Sequence, residues 1–171
     1  NKLRMEKTLN NVNDIGSQLI NYLESLESID NRYSNIECVN ATGKEKKGFF
    51  SFIFKAFDVL EEEYVAIKFF DPNHISDQYR LASFDRESEI LKSLESHKRC
   101  LQLKQAKSIH LWLVNVVGDK TINLPIPYFI TEWLENDIEK FSYEQEKIEA
   151  LAKLETFRDI VLAVNALHIK D

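Results

Sequence analysis

Tyr64-Val65-Ala66-Ile67-Lys68-Phe69-Phe70 sets one lysine in the middle of an apolar run. On a strand, alternate side chains share a face, so Val65, Ile67 and Phe69 point one way while Ala66, Lys68 and Phe70 point the other. An ammonium so placed needs an anionic ligand, a carboxylate or water, because burying it bare costs about several kcal/mol or more. The ordinary alternative is a lysine on an exposed strand face. Glu87 poses the same problem on a helix. It follows Phe84 by three residues and precedes Ile90 and Leu91 by three and four, which puts its carboxylate on the inward, apolar side. Each charge is awkward alone, and together they form an ion pair joining strand to helix. Arg86 and Glu89 flank that face as solvated residues, with Glu89 the substitute partner if the helix is rotated.

Weaker signals surround this pair. Gly48, one of four glycines, opens Gly48-Phe49-Phe50-Ser51-Phe52-Ile53-Phe54-Lys55-Ala56. A hairpin tip of small residues lets backbone N–H groups approach phosphate oxygens, though the same residues also make an ordinary hairpin. His74, His97 and His110 have no acid or nucleophile at a telling spacing. His168 reads as a structural histidine near a helix end rather than a base. Asp137 could cap a helix or reach a ribose hydroxyl.

The elements that must hold these groups follow from texture. Met5, Leu9, Val12, Leu19, Leu23 and Leu26 keep a three-four spacing, with Gly16 filling one apolar slot poorly. This stripe belongs either to a helix packed on the following domain or to a dimer or partner helix. Ile36 to Val39, Phe49 to Asp58 and Tyr64 to Phe70 read as three antiparallel strands, closed by Asp71-Pro72-Asn73. A helix carries Leu81, Phe84, Ile90, Leu91 and Leu94 on one face. Strands are expected over His110 to Val117 and, after Pro125-Ile126-Pro127, over Tyr128 to Trp133. A helical stretch from about Ser142 to His168 repeats Ile148, Leu151, Leu154, Ile160, Val161, Val164 and Leu167 at three to four.

Composition narrows the class. With 171 residues, 44% apolar and 29% charged, the chain can bury a core and is not built like a disordered one. A net charge of -6, with basic residues scattered among acids, argues against a nucleic-acid partner. No apolar run approaches the ~20 residues that span a bilayer, so no membrane partner is expected. Asn1 to Asn11 does not resemble a leader. Cys38 and Cys100 lack metal-ligand spacing, so no metal site is expected, and they read as reduced thiols of a cytoplasmic protein.

In this order and spacing the pieces resemble a eukaryotic-type protein kinase of the Ser/Thr-like class, over about Tyr33 to Asp171. Gly48 to Ala56 is similar to the family's glycine-rich loop, with Ser51 at the last glycine and Lys46 where a first glycine would stand. Val65-Ala66-Ile67-Lys68 matches the lysine strand, and Phe84 to Leu91 looks like the helix with its glutamate. Tyr128 to Leu134 is similar to the fifth strand and hinge, and Phe157 to Asp171 to the helix ending in Leu167-His168. The fold implied is α+β: a five-stranded antiparallel sheet with one regulatory helix, preceded by an N-terminal helix and followed by helices of a second lobe. The matching divisions are 1–32, 33–134 and 135–171.

The resemblance also implies roles. Lys68 and Glu87 are the catalytic pair, with Lys68 on the α- and β-phosphates of ATP. Gly48 and Ser51 lie over the phosphates, and Ile53 and Ala66 cover the adenine. Thr131 is the gatekeeper, and the Glu132 carbonyl and Leu134 amide bind the adenine edge. Neither His-Arg-Asp nor Asp-Phe-Gly occurs. The family's base and Mg2+ ligands are therefore expected beyond Asp171, and these residues alone would be inactive. The activity implied for the whole protein is transfer of the ATP γ-phosphate to protein Ser/Thr hydroxyls. The alternatives are a pseudokinase or regulatory module that recruits a partner through Met5 to Leu26, and, last, a small-molecule kinase of the same fold.

Overall fold

The computed structural model describes residues 15–42, 45–46, 50–95, 97–115, 120–135 and 150–170. In chain order these form α1 (Ile15–Ser25), β1 (Ser28–Ile29), β2 (Tyr33–Cys38), β3 (Ala41–Thr42), β4 (Glu45–Lys46), β5 (Ser51–Asp58) and β6 (Glu63–Phe70). A 3-10 turn (Pro72–His74) leads to α2 (Gln78–Ser93), β7 (Leu103–Asn115), β8 (Lys120–Glu132) and α3 (Ala150–Lys170). The fold is α+β with an antiparallel sheet ordered β1-β2-β5-β6-β8-β7, while β3 and β4 pair separately.

The sheet therefore has six strands where five were expected. The extra strand, β1, has two residues, too few to carry a period. The other correction concerns β7 and β8, thirteen residues each, which run on where Pro125-Ile126-Pro127 was read as a break. Prolines two apart turn their nitrogens to the same side of a strand. Opposite Ser108 and His110 they keep the ladder to β7 only by facing away from it. On that far side, β6 meets β8 only from Tyr128 onward, so no ladder bond is lost.

Period two along β5 and β6 divides the sheet into two faces. On one, Phe52, Phe54 and Ala56 join Val65, Ile67, Phe69, Ile126, Tyr128 and Ile130 in a buried core. Helix α1 closes this core with Leu19 and Leu23, both without exposed surface, and the partly buried Leu26 just after the helix joins them. Within the described residues, the leucine stripe is used by the protein's own core; Met5, Leu9 and Val12 lie outside them. Gly16, which breaks the stripe, sits where a Cβ would stand 2.7 Å from the Phe52 ring and 2.9 Å from Asn73 Nδ2. A side chain there would hold the helix off the sheet. The Asn73 side-chain oxygen Oδ1 accepts from Ile15 N–H at 3.1 Å, tying the start of α1 to the turn that leads into α2.

On the opposite face, Phe70, Phe84 and Phe129 form a smaller cluster that seats α2. Asp77 caps this helix by accepting from Arg80 N–H at 3.1 Å. Phe84 and Leu94 are buried, and Leu81 and Leu91 are half-buried. Ile90, expected on the inward face, is 37% exposed. The β5–β6 hairpin is fastened by Asp58, which has no exposed surface. Its carboxylate accepts from Arg32 at 2.8 and 2.7 Å and from Leu60 N–H at 3.1 Å. The Arg32 guanidinium holds the Asp58 carboxyl below the usual carboxylate range, overcoming the opposing effect of burial.

Helix α3 meets the rest through Arg99, which donates to Asp159 at 2.9 Å. Its apolar residues Leu154, Phe157, Ile160, Val161, Val164 and Leu167 are exposed among the described residues. Neither Cys38 nor Cys100 is in a disulfide. No helix among the described residues is long and apolar enough to cross a membrane.

Candidate functional site

The site is built on the second face of the sheet, where period two gives up apolar burial. Ile53 on β5 and Ala66 and Lys68 on β6 share this face, each half-buried, while their neighbours in sequence fill the core behind. The register pairs Ile53 with Lys68 and Ala66 with Thr131, bringing three strands to one point. Helix α2 supplies Glu87 from above, and the end of β8 supplies the outer wall. The cleft so formed has a volume of about 270 Å³ and is lined by Ile53, Ala66, Lys68, Glu87, Leu101, Phe129, Thr131, Glu132, Trp133 and Leu134.

Lys68 Nζ donates to both Glu87 oxygens, at 2.6 and 2.7 Å, and lies 5.6 Å from the centre of the Phe129 ring. Of the two awkward charges in the sequence, each has the other. Arg86 and Glu89 are exposed, and the partner is Glu87 rather than Glu89. The pair is not deeply buried, with side-chain exposures of 25% and 45%. Partly solvated pairs of this kind contribute about 0–1 kcal/mol to stability. An ammonium has three donors, and one remains for an anion in the cleft. The pairing holds the Lys68 ammonium in a fixed place at the wall of the cleft.

The wall from β8 is fixed by its neighbours. Glu132 N–H donates to the Gln102 carbonyl at 3.3 Å, and Glu132 Oε1 accepts from Gln102 N–H at 3.0 Å. The buried Thr131 hydroxyl donates to the Glu132 carbonyl at 3.2 Å. Leu134 is 60% exposed at the mouth. Below the cleft, Asn40 acts as a short strand at the end of β2. Its Nδ2 donates to the Ser51 carbonyl at 3.0 Å and its Oδ1 accepts from Ile53 N–H at 2.8 Å, fixing the foot of the loop before β5.

Seven of the residues singled out in the sequence thus line one cleft: Lys68, Glu87, Ile53, Ala66, Thr131, Glu132 and Leu134. Ser51 is not in the lining; it stands half-buried at the start of β5, paired with Phe70. Gly48 and Asp137 lie outside the described residues. His168 is exposed on α3, while His97 Nδ1 is 3.4 Å from Cys100 Sγ. Sequence reasoning missed Leu101, Phe129 and Trp133. Phe129 and Trp133 were within reach, because they alternate with Thr131 along a strand and so share its face. Leu101 carries no such signal. No cluster of three or more metal-ligating side chains occurs among the described residues.

No family model matches the sequence, and no curated protein is recognisably similar to it. Solved structures are. The chain superposes on the crystal structure of Rad53 in complex with AMP-PNP with a TM-score of 0.50 and 18% identity. The match covers 80% of this chain and 31% of that one, so this chain spans about a third of the length of that solved chain. At such identity the likeness concerns fold alone, and it shows that the chain has a kinase-like fold.

Proposed function

We propose that this chain is the ATP-binding part of a protein kinase, which as a whole transfers the ATP γ-phosphate to protein Ser/Thr hydroxyls. The observation that carries the reading is the Lys68–Glu87 pair, with its spare donor, inside a cleft with apolar walls. Lys68 would neutralise the α- and β-phosphates, and Glu87 would hold Lys68 in place. Ile53 and Ala66 would enclose the adenine, with Thr131 behind it and the Glu132 carbonyl and Leu134 amide at its edge. Backbone at Gly48 and Ser51 would lie over the phosphates. The division into an ATP-binding lobe over 33–134 and a second lobe beginning at 135 belongs to the same reading, as does a cytoplasmic setting for two cysteines outside any disulfide. These residues would hold the nucleotide and not its magnesium.

A regulatory interaction module on the same fold is the second reading, favoured by the exposed apolar row of α3. Titration calorimetry separates the two. The nucleotide reading expects ATP to bind the wild-type chain and to lose measurable affinity in Lys68→Ala. Equal affinity in both proteins would remove Lys68 from the site, and no binding by either would favour the module.

A further inference from the structure

We infer that Lys55 is a positioning residue, clamping the Trp133–Glu135 segment against the sheet and so setting the width of the cleft mouth for a planar ring. Lys55 stands two residues beyond Ile53 on β5 and therefore on the same, cleft-lining face. Its ammonium lies 4.3 Å from the centre of the Tyr64 ring and 4.7 Å from that of Trp133. It also donates to Glu135 Oε1 at 3.3 Å. Tyr64 belongs to β6, on the face of Ala66 and Lys68, whereas Trp133 and Glu135 belong to the segment leaving β8. One cation thus joins sheet and exit segment on either side of Leu134, which forms the mouth.

A lysine bound only to the exposed Glu135 would be an ordinary surface pair. Two aromatic faces make it different, since a cation between rings is held by both quadrupoles. The Trp133 ring gives independent support. Its Nε1 is buried with no hydrogen-bond partner among the described residues, so packing and the Lys55 charge hold the indole where its own donor does not. The cost of that silent donor is one the fold accepts to keep the ring in place.

The inference rests on the nucleotide reading for what enters the mouth, and the test keeps the two apart. In a Trp112→Phe background only Trp133 fluoresces, because the sequence has two tryptophans. Lys55→Met keeps the length of the side chain and removes its charge; Lys55→Arg keeps both attractions. Acrylamide quenching of Trp133 and ATP affinity are measured on all three proteins. Lys55→Met should quench about twice as strongly and bind ATP about tenfold more weakly, the scale of two lost cation–π contacts. Lys55→Arg should stay within about threefold of the parent on both readouts.

Unchanged quenching in Lys55→Met overturns the clamp. Altered quenching with unaltered ATP affinity overturns the positioning role. A parent protein that binds no ATP, yet shows the quenching difference, overturns the nucleotide reading and takes with it the claim about the mouth.

Discussion

The two faces of the sheet divide the work. Behind it, α1 closes a continuous apolar core in which Leu19, Leu23, Phe54, Val65, Ile67 and Phe69 have no exposed surface. In front, the same strands present half-buried Ile53, Ala66 and Lys68, and α2 rests on a cluster of only three fully packed aromatic residues. Burial is concentrated on the face that carries no cleft. That frees the other face to keep a cleft and a charged pair that contribute little to folding.

The sharpest way to break this division is through the α1 face. Leu23→Ala should cost about 2–5 kcal/mol of unfolding free energy, read from urea or guanidinium melts. If it costs less than about 1 kcal/mol, α1 is not part of the core and the contrast fails. Asp58→Asn should cost about 3 kcal/mol, because it leaves the Arg32 guanidinium without its buried partner. The sign of its pH dependence follows from the lowered carboxyl. The stabilisation is in place above the ordinary Asp value of 3.8 and disappears as pH falls through the folded-state value below it. Wild type and Asp58→Asn should therefore converge in stability in strong acid and differ fully at neutral pH. Gly16→Ala should cost about 1 kcal/mol, overpacking against Phe52 outweighing the roughly 1 kcal/mol that alanine gains in a helix. A stabilised variant would show that α1 can move off the sheet freely.

Much of this was legible in the residues. The period-two run around Lys68 identifies the two faces of β6, and the helical spacing around Glu87 points to its partner. What could not be read depended on neighbours distant in sequence. Gly16 looked like a defect in a leucine stripe because the Phe52 ring that requires it is 36 residues away. Pro125 and Pro127 looked like a break because the room for them in a strand comes from β6, whose pairing with β8 stops at Phe69 and Tyr128. Ile90 obeyed the spacing yet stays partly exposed, because α2 turns Phe84 and Leu91 toward the aromatic cluster and leaves Ile90 at the edge of that face. Trp133 was passed over because its neighbours Glu132 and Leu134 drew attention through their resemblance to a hinge, whereas alternation from Thr131 would have placed it.

The central claim, that the front face serves a ligand and the back face stability, meets its most direct test in one calorimetric melt. Wild type and Lys68→Ala are heated with and without saturating ATP. The account predicts nearly equal melting temperatures without ATP, since the pair is worth about 0–1 kcal/mol, and an ATP-induced rise in wild type alone. A large loss of stability in Lys68→Ala without ATP, or an equal ATP-induced rise in both proteins, would contradict it.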